Sequence, residues 1–238
     1  MEATVQQFPL FAHAPHPSPA DVDVAALSRP ARQFTGDFYF THRHGPYLWV
    51  VLGDVAGKGL KAAVVMAMIQ EELEENIVSC ANAECDPAVM MQRLHLFLRD
   101  VLPRNRFATA VIAQIHDDGR LTVVNAGHPP LFVARRDGPV EAIGSSGPVI
   151  GLLPVAQWRA IEIPFRHGDT LLAYSDGVME ARSKSDDELG LCRLQAAFAE
   201  AAKTYGSSGE VAESIQDLLE SHDGGSRYDD ATIVVARR

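Results

Sequence analysis

The sequence predicts an α+β fold in which helices cover antiparallel sheets. Two observations carry that prediction. The first is the order of hydrophobic patterns: strands, two helices, a run of short alternating strands, two more helices and a closing strand. The second is a repeated device, in which a hydrophobic strand ends or begins at a Gly-Asp or Asp-Gly pair. That device places carboxylates rigidly at the rim of a core.

Residues 1–20 read as an irregular N-terminal arm, because Pro9, Pro15, Pro17 and Pro19 interrupt them and no helical period develops. His13 and His16 belong to this solvated tail. One domain is expected over 21–238. Residues 20–27 alternate as a first strand. A second strand, 33–40, carries Gly36-Asp37 into Phe38, Tyr39 and Phe40. The segment His42-Arg43-His44-Gly45-Pro46 makes a polar turn, and 47–52 returns as a buried strand ending in Gly53-Asp54. Such a hairpin sets Asp37 across from Asp54.

The spacing of Leu60, Ala63, Val64, Ala67 and Met68 predicts a helix over 60–79. A second helix covers 87–101, with Asp86 as N-cap and Pro87 at its first position. The period then changes to two. Strands are expected over 107–115, 121–125, 131–134 and 140–143, with turns at Asp117-Asp118-Gly119 and Arg136-Asp137-Gly138. Asn125-Ala126-Gly127-His128-Pro129-Pro130 is a tight corner, where His128 reads as a turn residue in preference to a general acid. A Gly/Ser/Pro-rich loop spans 144–155. Strands follow over 161–165 and 168–174, the latter ending in Ser175-Asp176-Gly177. Helices over 191–202 and 211–219 and a loop over 221–228 lead to Asp229-Asp230 and a last strand over 231–236.

At 238 residues and 47% hydrophobic, the chain fills a sizeable core. A net charge of -10 argues against nucleic acid and anionic membrane surfaces, both of which require basic patches. No apolar run approaches a membrane span, and no signal peptide opens the chain. The three cysteines, Cys80, Cys85 and Cys192, lack CxxC spacing and read as reduced thiols of a cytoplasmic protein. Gly53 to Gly59 superficially resembles a phosphate-cradling P-loop, but the spacing is one residue short and Gly59 stands where a hydroxyl is required.

Asp37, Asp54, Asp176 and Asp229-Asp230 all sit at strand rims, and neither histidine nor cysteine shares the pattern. All-oxygen sites suit Mg2+ or Mn2+. Packed carboxylates repel unless a cation neutralises them. Two such cations about 3.5–4 Å apart orient a phosphoryl group for in-line attack, which points to phosphate-ester hydrolysis.

Five motifs occur in order: Thr35-Gly36-Asp37-Phe38-Tyr39, Gly53-Asp54-Val55-Ala56-Gly57-Lys58-Gly59, the Asn125–Pro130 corner, Tyr174-Ser175-Asp176-Gly177-Val178-Met179-Glu180-Ala181, and Tyr228-Asp229-Asp230-Ala231-Thr232. Over roughly residue 20 to the end they closely resemble the PPM-type metal-dependent Ser/Thr protein phosphatases, in the bacterial SpoIIE/RsbU-like branch. The resemblance implies an α-β-β-α sandwich of two antiparallel β-sheets flanked by helices, with two Mn2+ or Mg2+ ions in its cleft. It implies that Asp54 bridges the ions, that the Val55 carbonyl ligates one, and that Asp176 and Asp229 complete the other. Asp37 would bind directly or hold a metal-bound water that attacks the phosphorus. Asp230 lies one position past the expected ligand, and Glu180 stands where some relatives hold a weak third ion, with an acid at a helix N-terminus as an equal alternative. Two departures stand out: Thr35 replaces the family's usual first glycine, and Phe40 replaces an acid. Neither removes a core ligand.

The resemblance further implies a phosphoserine/phosphothreonine substrate on a regulatory protein, typically a STAS-domain anti-anti-sigma factor. It allows an upstream sensor domain or regulator and a homodimer, with the 60–101 helices as the place where relatives transmit regulation. Two alternatives are a catalytically silent partner-binding module of the same fold and a hydrolase of small phosphate esters.

Overall fold

Strands buried on both faces dictate the architecture. The computed structural model describes residues 22–31, 35–57, 59–80, 85–226 and 228–238, so the expected N-terminal arm lies outside the described residues. In β3 (Tyr47–Val55), Leu48, Val50 and Leu52 face one buried cluster while Trp49, Val51 and Val55 face another. In β10 (Ala231–Arg237), Val234 and Ala236 join the same central cluster as Leu48, and Ile233 and Val235 face a third. A strand of this kind reads as an unbroken hydrophobic run because neither face meets water. Each fully buried Leu or Val contributes about 1.5–3 kcal/mol.

The remaining strands are β1 (Asp23–Arg29), β2 (Asp37–His44), β4 (Ala108–His116), β5 (Arg120–Ala126), β6 (Leu131–Ala134), β7 (Val140–Ile143), β8 (Ile161–Pro164) and β9 (Thr170–Tyr174). They form two antiparallel five-stranded sheets, ordered β1-β10-β9-β6-β7 and β2-β3-β4-β5-β8. Helices α1 (Leu60–Ser79) and α2 (Pro87–Val101) bury Ile69, Leu73, Met91 and Leu94 against the second sheet. A four-residue helix, α3 (Asp176–Met179), follows β9; α4 (Leu191–Thr204) and α5 (Ser208–Asp223) cover the first sheet through Phe198, Val211 and Ile215. The expected α-β-β-α sandwich is the observed one.

The caps follow local chemistry. Asp86 accepts a hydrogen bond from the Ala88 amide at 2.7 Å with Pro87 next to it, as expected. Ser207 and Glu210 form a capping box that starts α5 three residues before the sequence reading placed it.

Three readings need correction. The turn read over 42–46 shrinks to Gly45-Pro46, and β2 runs on to His44, opposite Tyr47. The strand holds these polar residues because His42 stacks on Phe40 and His44 Nε2 bonds the Cys80 carbonyl at 3.1 Å. Secondly, Asp176 begins a helical turn, α3, where the sequence reading had only a strand end. Thirdly, the reading of three reduced thiols fails for two of them. Cys80 and Cys85 form a disulfide with Cα atoms 5.3 Å apart, and Cys192 is the free, exposed cysteine. The reason is topological: α1 and α2 are packed neighbours, so residues just after one and just before the other meet at one end.

Candidate active site

The β2–β3 ladder pairs Asp37 directly with Asp54. Asp37 opens β2 and is only 5% exposed. Its Oδ2 accepts from Ser175 Oγ at 2.7 Å and from Thr232 Oγ1 at 2.6 Å. Thr232 Oγ1 also lies 3.1 Å from Ser28 Oγ, and the Thr232 amide donates to Ser175 Oγ at 2.9 Å. Asp37 belongs to one sheet, whereas its two partners belong to the end of β9 and to β10 of the other. This carboxylate therefore ties the sheets together at the rim. Burial pushes the Asp37 carboxyl well above the usual range; the two hydroxyl donors oppose that shift, and the charges of Asp54 and Asp230 add to it.

Two glycines shape the Asp54 turn. A side chain on Gly53 would run into the Phe38 ring and the Thr109 carbonyl. A Cβ on Gly36 would stand 2.7 Å from Asp54 Oδ1 and 3.0 Å from the Val55 carbonyl oxygen. Gly36 thus forms the floor under two oxygen donors, one carboxylate and one carbonyl. Arg106 donates to the Ala56 carbonyl at 2.9 Å and covers the turn next to Gly57. Sequence reasoning missed Arg106, because nothing in its local pattern marks a contact fifty residues away in the chain.

On the other sheet, β9 delivers Ser175 and Asp176 to the rim. A side chain on Gly177 would collide with the Asp230 carbonyl, so α3 packs directly on the 229–230 backbone. Asp229 Oδ1 accepts from the Asp230 amide at 3.0 Å. Glu180, at the C-cap of α3, has its carboxyl raised first by partial burial and then by the nearby charges of Asp176, Glu188 and Asp229. Asp176, Glu180 and Asp229 thus share one negative field. Asp230 differs from them: its Oδ1 accepts from the Ala31 amide at 2.8 Å and its Oδ2 from the Gly36 amide at 3.0 Å. Its carboxylate holds the β1–β2 connection in place. A cavity of about 100 Å³ opens beside Glu180 and Asp229, and Arg29 and Tyr228 line it. Arg29 is bound there to Asp223 at 2.6 Å.

His128 holds a corner. Its amide donates to Asn125 Oδ1 at 2.9 Å, its Nδ1 lies 2.9 Å from Thr109 Oγ1, and burial pushes it down to about 3. It is uncharged near neutrality and is no imidazolium acid, in keeping with the turn role.

The arrangement fits hard divalent cations. Its donors are carboxylates and a carbonyl, the Gly36 floor leaves room beside Asp54, and burial, with repulsion from neighbouring acids added to it, raises Asp37 and Glu180. The rim is open: no three of the described aspartates bring ligand oxygens within 4.8 Å of one another.

Known proteins resemble the chain over most of its length. The family model described as stage II sporulation protein E (SpoIIE) matches residues 44–238. Phosphoserine phosphatase RsbU of Bacillus subtilis is 27% identical, with 99% of this chain and 68% of RsbU aligned. Protein IcfG of Synechocystis is 28% identical over 90% of this chain, which spans only 38% of IcfG. Among solved structures, the SiaA-PP2C domain of Pseudomonas aeruginosa superposes with a TM-score of 0.80 at 20% identity, covering 90% of this chain and 85% of that one. RsbX in complex with magnesium gives a TM-score of 0.68 at 17% identity, covering 92% and 96%. These structures share its two-sheet fold, and the match from His44 to Arg238 shows that the chain belongs to the SpoIIE family of PP2C-type phosphatase domains.

Proposed function

We propose that this chain is a metal-dependent protein phosphatase that hydrolyses phosphoserine or phosphothreonine on a regulatory protein. The observation that carries the reading is the convergence of acids from four separated segments. Asp37 pairs with Asp54 across β2–β3, and its hydrogen bonds to Ser175 and Thr232 draw in the segments bearing Asp176 and Asp229. The names of RsbU and RsbP, both phosphoserine phosphatases, support the same chemistry.

In this reading Asp54, the Val55 carbonyl, Asp176 and Asp229 hold two Mg2+ or Mn2+ ions, with Asp37 beside them. When bound, the ions supply Lewis-acid activation of the phosphoryl group and of the attacking water. The chain's own part is orientation. The β2–β3 ladder fixes Asp54, Gly36 keeps its carboxylate and the Val55 carbonyl on one side, and Ser175 and Thr232 lock the Asp37 carboxylate. Asp230 and Glu180 take supporting places, the first through the amides it binds and the second through the field it shares.

The substrate we propose is a STAS-domain anti-anti-sigma factor. Similarity to RsbU supports it, as does the likeness to a Mycobacterium tuberculosis protein that joins RsbU and RsbW domains, at a TM-score of 0.78. A cytoplasmic location is part of this reading; among the described residues no helix is long and apolar enough to cross a membrane.

The test is p-nitrophenyl phosphate hydrolysis with Mn2+, Mg2+ or EDTA, in wild type, Asp54→Asn and Asp176→Asn. Metal-dependent turnover that falls at least about 100-fold in both variants is expected. Turnover indifferent to EDTA and to both substitutions would overturn the assignment. The alternative is a partner-binding module of the same fold without turnover. Calorimetric Mn2+ titration separates the two, because only the enzyme requires the acids to bind metal.

A further inference from the structure

The opposite end of β2 carries a second cluster of different chemistry. A ring nitrogen of His44 and the sulfurs of Cys80 and Cys85 lie within 4.8 Å of one another. Both cysteines are buried, at 4% and 7% exposure. Their backbones are held by the sheet as well as by the S–S bond. His44 Nε2 sits 3.1 Å from the Cys80 carbonyl, and Gln114 Nε2 donates to the Cys85 carbonyl at 2.8 Å. A carbonyl only accepts, so His44 carries its proton on Nε2 and keeps a lone pair on Nδ1. Imidazole metal ligands are commonly fixed in this way, with the other ring N–H donated to a backbone carbonyl.

We propose that His44, Cys80 and Cys85 form a redox-gated Zn2+ site, filled when the two thiols are reduced and emptied when they form the disulfide. Two thiolates and an imidazole are a preferred donor set for zinc, and a water completes the tetrahedron. Sulfurs around one zinc stand about 3.8 Å apart, given Zn–S bonds of about 2.3 Å. The two sulfurs are bonded to each other, so filling the site requires the S–S bond to open and the sulfurs to part to that spacing, starting from three donors that lie within 4.8 Å of one another. Cys85 also stands one residue before Asp86, the N-cap of α2, near a helix end that favours negative charge once the thiol is reduced. The oxidant is a low-molecular-weight disulfide. The two zinc-bound thiolates give it two electrons, the Cys80–Cys85 bond forms, the small disulfide takes up two protons and leaves as two thiols, and Zn2+ is released. The site is of the soft-ligand class and is separate in place and donor type from the aspartate rim.

Co2+ is the probe, because thiolate-to-cobalt charge-transfer absorption reports sulfur ligation and ignores carboxylates. The full chain is used with Cys192→Ser, to remove the exposed thiol. Under a phosphine reductant, one equivalent of Co2+ should produce the band and Zn2+ should abolish it. Oxidised glutathione should then remove the band and release the metal to a chromophoric chelator. Cys80→Ser with Cys85→Ser should show no band, and His44→Gln should bind at least about tenfold more weakly. Absence of the band in reduced protein overturns the proposal without recourse to any variant. Its survival in the double serine variant, or unchanged affinity in His44→Gln, does so as well.

Discussion

The two ends of the β2–β3 hairpin differ in what their backbone is asked to do. At the rim end, Asp37 and Asp54 pair and Gly36 has no room for a methyl group. At the turn end, Gly45 adopts φ +56 with nothing within 4 Å of where its Cβ would stand. Both glycines are required, but for opposite reasons. Gly36 answers to crowding by two oxygens, whereas Gly45 answers to backbone handedness in open space. The same residue type therefore marks a crowded, oxygen-lined surface at one end and a plain reversal of direction at the other.

Identical substitutions sharpen this contrast. Gly36→Ala pushes a methyl against Asp54 Oδ1 and the Val55 carbonyl, so metal affinity and turnover should fall about 10–100-fold with the fold retained. Mn2+ titration and phosphatase kinetics check it; wild-type affinity in that variant would remove the distinction between the two ends. A smaller effect separates the histidines. His128, near Thr109 at the rim, is held down to about 3, so the unfolded chain takes up a proton there before the folded one does. Its stabilising contribution is complete above the ordinary histidine value near 6.5 and is lost as pH falls towards 3. Between pH 7.5 and 5 the loss is about 2 kcal/mol, so urea unfolding of His128→Gln should show that much less pH dependence than wild type. His116, packed edge-on against Tyr47 at the turn end, is also lowered, first by burial and then by Arg120, and shifts in the same direction. Smallest is Gly45→Ala, which should cost about 1 kcal/mol of stability in the same unfolding assay and leave kcat and KM unchanged.

The architecture was legible wherever hydrophobic pattern and local chemistry agree. The run from Tyr47 to Leu52 announced a doubly buried strand, Asp86-Pro87 announced the start of α2, and the Gly-Asp positions brought Asp37 and Asp54 together. What escaped depended on partners distant in sequence. Ser175 and Thr232 look like ordinary strand-end hydroxyls until the sheets meet and both turn to Asp37. Asp229 and Asp230 are indistinguishable as a dipeptide, yet the Asp230 carboxylate is taken by the Ala31 and Gly36 amides. His42 and His44 read as turn residues because their stabilising contacts, the Phe40 ring and the Cys80 carbonyl, are tertiary. The disulfide was invisible for the same reason, since a spacing of five residues becomes a bond only when α1 and α2 pack as neighbours.

The adjacency of β1 and β10 has a consequence for biosynthesis. Among the described residues β1 has β10 as its sole neighbour in its sheet, and β10 is synthesised after every other described helix and strand. The sheet β2-β3-β4-β5-β8 is complete once β8 has emerged, so that half can assemble while the rest is still being made. Asp229 and the Thr232 hydroxyl that locks Asp37 arrive only after all of that sheet. A nascent chain that has reached β8 therefore carries one finished sheet and no finished rim, because Ser175, Asp229 and Thr232 are still to come.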